Sequence, residues 1–153
     1  MLEVLTLPVD YSAASAKLEG TWFRYAPHLA LSFGEASCSK LQFEERAQNE
    51  DCSPAADNKG EIHEKITIDV EGPDFLESSW NVKGVPSSLS QHAGGFLCNH
   101  IFYHLMRLSR GTSCRRGFIH VPISWVEKTP ERTSLERAFP LVCRHLWAAN
   151  LRE

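Results

Sequence analysis

Two short stretches of this 153-residue chain hold residues that could do chemistry together. Ser90 to Tyr103 reads Ser-Gln-His-Ala-Gly-Gly-Phe-Leu-Cys-Asn-His-Ile-Phe-Tyr, and Arg116 to Pro122 reads Arg-Gly-Phe-Ile-His-Val-Pro. The Ala93-Gly94-Gly95 turn places Cys98 near the start of a helix. A cysteine there sits in the positive end of the backbone dipole, beside unpaired N–H groups, an environment that favours the thiolate. His120, on the next strand, can then act as its base.

Each residue also has a plainer reading. Free cysteines are among the most buried residue types, so Cys98 without its glycine turn would be a core residue. His120 on an apolar strand, taken alone, is a hydrogen-bonded core histidine. Cys38, Cys52, Cys114 and Cys143 keep a structural reading. His92, Cys98, His100 and His104 lie close in sequence, and His100 and His104 share a helix face, but neither a paired Cys-x-x-Cys nor a His-Glu-x-x-His signature is present. No metal and no cofactor is assigned.

The elements that must position the pair follow from periodicity. Phe96, Leu97, Ile101, Leu105 and Leu108 fall on helical spacing, which predicts a helix over 96–109 after a strand over 87–91. Gly117 to Val121 reads as a short buried strand. Nearer the N-terminus, Glu3 to Val9 alternates like a strand and Tyr11 to Tyr25 has amphipathic helical spacing that must end before Pro27. His28 to Phe33 reads as a further strand. Strand, helix and strand with short joins is the unit of a parallel sheet covered by helices. From Glu35 to about Gly84 the pattern weakens into loop-rich sequence in which only Lys65 to Val70 reads as a strand. Thr133-Ser-Leu-Glu136 has the form of a capping box opening a last helix, with Pro140 inside its pattern.

Composition bounds the rest. A 42% hydrophobic, 23% charged chain of this length fits one globular domain over 1–153. A net charge of −3 offers no basic field, so nucleic acid is not an expected partner. No apolar run approaches the roughly 20 residues of a membrane span, and the N-terminus lacks the form of a secretory signal. Five cysteines without a disulfide framework point to a reducing compartment, the cytoplasm by default.

Ala93-Gly-Gly-Phe-Leu-Cys98-Asn-His, the helix after it and Gly117-Phe-Ile-His120-Val-Pro together resemble the pyroglutamyl peptidase I (pyrrolidone-carboxylate peptidase) family of cysteine peptidases. Weaker matches run back through Gly72-Pro73, Asp57-Asn58-Lys-Gly60 and Leu7-Pro8-Val9-Asp-Tyr11. The resemblance implies a three-layer α/β/α sandwich with a twisted, mainly parallel sheet flanked by helices. It also implies a Cys-His-Glu triad, carried here by Cys98, His120 and a glutamate. Counting back from Asp57-Asn58 gives Glu44, whereas matching the Glu-Arg pair gives Glu45; Glu44 needs no gap and is preferred. Phe96 and Leu97 match positions that line the family's pocket for the pyrrolidone ring.

The activity so implied is removal of N-terminal pyroglutamate from peptides through an acyl-enzyme, with a homo-oligomer allowed. Three departures accompany it. The chain begins after the family's first strand and aromatic loop; Gly34 to Ser39 lacks the family's arginine; and Trp80 to Gly84 leaves no room for a family helix. These support a second reading, an inactive or weakly active member acting as an interaction module.

Overall fold

The computed structural model describes residues 2–78, 80 and 87–123. Its first helix, α1 (Tyr11–Tyr25), starts where Asp10 caps it, the carboxylate accepting from the Ala13 N–H at 2.8 Å. Such a cap stabilises a helix by about 1 kcal/mol. Asp10 also pairs with the Lys59 ammonium at 2.8 Å. The helix closes on Ala26, left-handed at φ 40°, directly before Pro27, which disfavours a helical residue in front of it.

Among the described residues eight strands follow or separate the helices: β1 (Leu29–Ala36), β2 (Leu41–Glu44), β3 (Arg46–Gln48), β4 (Glu50–Cys52), β5 (Glu64–Thr67), β6 (Phe75–Glu77), β7 (Ser87–Ser90) and β8 (Arg115–Pro122). The second helix, α2 (Leu97–Leu108), lies between β7 and β8. The main sheet runs β1-β8-β2-β7, with β1–β8 and β2–β7 parallel and β2–β8 antiparallel. The fold is therefore α/β with a mixed, mostly parallel sheet. Two small antiparallel ribbons, β3–β6 and β4–β5, extend from it.

Strand alternation divides the sheet into two faces. Phe118 joins Phe102, Tyr103 and Met106 of α2 in one buried cluster, with Ala47 and Ala93. Ile119 and Val121 point the other way and pack with Leu41 and Phe43. His120 and Glu44 thus belong to the face that α2 covers. α1 packs on α2 through Tyr11, Ala14, Leu97 and Ile101.

The sequence-based expectations need three corrections or limits. Glu3 to Val9 alternates but forms no strand, because no strand among the described residues pairs with it; it leads into the Asp10 cap and is held through Val9 and Thr6 carbonyls by Asn58 N–H and Lys17 Nζ. The loop-rich stretch over 35–84 contains β2, β3, β4 and β6, and β5 ends at Thr67 rather than Val70. The last helix, with Thr133, Pro140 and Cys143, lies outside the described residues, as does most of the Trp80 to Gly84 segment.

Candidate active site

Cys98 stands in the first turn of α2, and the reason is local. Gly94 adopts φ 85°, a conformation open to glycine, so the chain can reverse after β7 and enter the helix. Gly95 is pressed on Cys52, whose carbonyl oxygen lies 2.0 Å from where a Cβ would sit, so no side chain fits there. Phe96 occupies the cap position without a side-chain hydrogen bond to the helix, so no capping side chain takes the first-turn amides.

The Cys98 sulfur is half-buried beside β1 and β8. A Cβ at Gly34 would lie 2.7 Å from Sγ and 2.9 Å from Phe118 Cζ, so the glycine lets the strand approach the thiol. Interaction with the Cys98 thiol is among the influences that raise the His120 pKa. The His120 Nδ1 lies 2.7 Å from Glu44 Oε1, leaving Nε2 for the sulfur. The Phe118 ring leans on His120 at 4.9 Å.

Glu44 is fully buried at the end of β2, and its second carboxylate oxygen, Oε2, has no hydrogen-bond partner among the described residues. Its backbone carbonyl accepts from Ser78 Oγ and from Trp80 Nε1, both at 2.7 Å. Glu45 takes no part in this contact; its N–H donates to the Ser90 carbonyl and its carbonyl accepts from Ser78 N–H, which holds the chain between β2 and β3.

Burial alone would push the His120 pKa down, but hydrogen bonds to Cys98 and Glu44, with their negative charge, raise it to about 9. The pair is therefore suited to hold an imidazolium between two acidic groups. That is the arrangement a thiol nucleophile needs: a partner that takes its proton and can return it to a leaving group.

The sequence-derived residues separate here. Cys98, His120 and Glu44 come together. Leu97 points instead into the α1 cluster, and half-buried Phe96 meets the Tyr11 ring edge-on at 5.6 Å. Of the other described cysteines, Cys114 is buried, Cys38 half-buried and Cys52 exposed, and all are free. Burial pushes the Cys38 and Cys114 thiols up, which suits a structural role. Among the described residues no group of three or more His, Cys, Asp or Glu side chains has metal-binding geometry. Sequence reasoning missed Gly34, Ser78 and Trp80. A glycine within an apolar strand is a signal of close backbone approach, and Gly34 carried it.

A second histidine network sits behind α2. His100 Nδ1 lies 2.7 Å and His63 Nδ1 3.0 Å from the buried Asp51 Oδ2, and His100 Nε2 lies 2.8 Å from Ser15 Oγ. Ser15 donates its own proton to the Tyr11 carbonyl at 2.9 Å, so it must accept from His100. The network ties α1, α2 and β4 together, and the Ser15 hydroxyl proton is already given to the Tyr11 carbonyl rather than to the His100 imidazole.

Comparison with known proteins places these features in context. A family model described as pyroglutamyl peptidase matches residues 1–139. A pyrrolidone-carboxylate peptidase of Gloeobacter violaceus is 32% identical over 88% of this chain and 72% of its own length. One of Fusobacterium nucleatum is 32% identical over 79% of this chain and 62% of its own. Among solved structures, a mutant pyrrolidone carboxyl peptidase of Pyrococcus furiosus superposes with a TM-score of 0.71 at 30% identity, covering 76% of this chain and 62% of that one. Pyroglutamyl peptidase I of Bacillus amyloliquefaciens gives 0.71 at 28% identity, covering 80% and 66%. The chain thus spans about two thirds of the length of such relatives.

Proposed function

Since the chain belongs to the pyroglutamyl peptidase family, we propose that it is a cysteine peptidase releasing N-terminal pyroglutamate from peptides, with Cys98 as nucleophile, His120 as acid and base, and Glu44 as the group that orients His120. The observation that carries the reading is the 2.7 Å bond between His120 and buried Glu44, with Cys98 close enough to help raise the His120 pKa.

In the reaction, His120 holds the proton of Cys98 and the thiolate sulfur adds to the carbonyl carbon of the pyroglutamyl residue. The carbonyl electrons move to oxygen, where the first-turn amides of α2 over 97–99, which no side chain caps, would donate. Each well-aimed donor of this kind supplies about 3 kcal/mol. The tetrahedral adduct collapses, the carbon–nitrogen bond breaks, and His120 gives its proton to the departing amine. Water, deprotonated by His120, then cleaves the thioester, freeing pyroglutamate and Cys98. Glu44 keeps Nδ1 protonated throughout and balances the imidazolium charge.

Phe96, whose ring is only half-buried, is assigned a face for the lactam. Leu97 contributes by anchoring that turn to α1. The family also suggests a cytoplasmic enzyme acting without a cofactor. The structure adds only that no described helix is long and apolar enough to cross a membrane.

The test is turnover of a fluorogenic pyroglutamyl amide in reducing buffer. Activity that disappears in Cys98→Ser and persists in Cys52→Ser is expected. A chain that neither turns over the amide nor labels at Cys98 with iodoacetamide would overturn the reading in favour of an interaction module.

A further inference from the structure

Two buried asparagines in this chain make the same set of hydrogen bonds, and one of them adjoins the nucleophile. Asn99 is fully buried and follows Cys98 in the first turn of α2. Its Oδ1 accepts from the Gln48 N–H at 2.8 Å, and its Nδ2 donates to the carbonyls of Gln48 at 2.9 Å and Glu50 at 3.0 Å. Asn49 repeats the pattern away from α2. Its Oδ1 accepts from the Asp69 N–H at 2.8 Å, and its Nδ2 donates to the carbonyls of Asp69 at 2.7 Å and Gly72 at 3.3 Å.

The segment gripped by Asn99 is the direct continuation of the chain from Glu44. Neighbouring bonds strengthen the same joint: the Cys52 N–H donates to the Gly95 carbonyl at 2.9 Å, and His100 pairs with Asp51 at 2.7 Å. Residues before and after Cys98 are thus tied to 48–52, while Cys98 itself faces Gly34 and His120. Successive helical residues point roughly 100° apart, so a grip on residue 99 sets where residue 98 points.

We infer that Asn99 is a positioning residue, fixing the rotation of the first turn of α2 against the 48–50 segment so that the Cys98 sulfur meets the His120–Glu44 pair. The inference rests on the reading of Cys98 as nucleophile. An amide is required because the side chain must accept from one N–H and donate to two carbonyls at once. A carboxylate there would face both carbonyls without a donor, and alanine would leave all three backbone groups unpaired.

The experiment compares wild type with Asn99→Asp, Asn99→Ala, Asn99→Ser and Ser109→Ala. It measures the rate of iodoacetamide alkylation at Cys98, located by peptide mapping, across pH, together with kcat, KM and melting temperature. The Asn99 variants should lose about tenfold or more in alkylation rate and in kcat, with KM within about twofold and a displaced alkylation pH profile. Ser109→Ala, which removes buried bonds to the Leu105 and Met106 carbonyls at the opposite end of α2, should lower the melting temperature while leaving the alkylation rate and profile unchanged. Asn99→Ser keeps part of the bonding and supplies a measurable protein should the others fail to fold, with an intermediate loss expected. Equal alkylation rates and profiles in the Asn99 and Ser109 variants would overturn the inference. Should wild type show no turnover while the alkylation contrast holds, the peptidase reading falls and the positioning role stands.

Discussion

His120 Nδ1 and Glu44 Oε1 lie 2.7 Å apart across the antiparallel β2–β8 pairing, although the residues are 76 positions apart in sequence. The carboxylate fixes which imidazole nitrogen faces Cys98, and it does so from a position sealed from water.

Replacing that carboxylate should therefore act on the chemical step. Glu44→Gln is expected to lower kcat by about 10²- to 10⁴-fold, the range spanned by acid–base catalysis and by loss of a tautomer-fixing carboxylate. Glu45→Gln, changing a side chain outside the His120 contact, should stay within about threefold. Steady-state kinetics on both variants separates the two glutamates directly, and a larger loss in Glu45→Gln would reverse the assignment.

The raised His120 pKa predicts an alkaline limit. Turnover needs the proton that His120 returns to the leaving amine, so kcat should fall as pH rises through about 9. Stability follows the same sign: a folded pKa above the ordinary 6.5 contributes stabilisation that is complete below that value and is lost as pH climbs through about 9. Melting temperatures taken from neutral to alkaline pH should drop more steeply in wild type than in His120→Gln.

His104 should act with the opposite sign. Burial, followed by the charges of His100 and Arg107, lowers its pKa from 6.5 to about 4. The unfolded chain takes up that proton first on acidification, so stability present above 6.5 is lost as pH falls toward about 4. His104→Gln should flatten the acid side of a melting-temperature profile; an unchanged slope would show that other groups govern acid unfolding.

Gly34→Ala places a methyl where Cys98 Sγ stands 2.7 Å away. Gly34 lies in the middle of β1 and shows no positive φ, so the effect is steric rather than conformational. Displacing the sulfur by a fraction of an ångström should cost about 10- to 100-fold in kcat and slow Cys98 alkylation, with Gly34→Val worse than Gly34→Ala. Parallel assays of alkylation and turnover check the order.

Much of this organisation is readable in the chain. α1 spans Tyr11–Tyr25 as its spacing and Pro27 require, and α2 lies within one residue of the expected bounds because its apolar positions repeat so regularly. Cys98 and His120 are legible because each sits in a dense local pattern. Glu44 is harder. It belongs to β2, a central strand whose Gln42 and Glu44 face the covered side of the sheet, so the apolar run that usually marks a buried strand is broken by the site itself. The choice between Glu44 and Glu45 depends on which face each side chain takes. In a strand a one-residue shift reverses that, and only pairing with Phe118 and Ser90 fixes it. β3, β4 and β6 are three residues each, too short for periodicity to register. Asn99 gives no sequence signal because its partners are backbone groups, which every residue type supplies.

The order of strands carries a consequence for synthesis. β8 is the last described strand in sequence, yet it is inserted between β1 and β2, and it alone delivers His120. A chain still on the ribosome can expose Cys98 and Glu44 but has no imidazole to join them and no Phe118 or Ile119 to close the core around them. On the proposed reading, Cys98 gains its partner only when β8 joins the described sheet, so an unfinished chain carries the thiol without its imidazole.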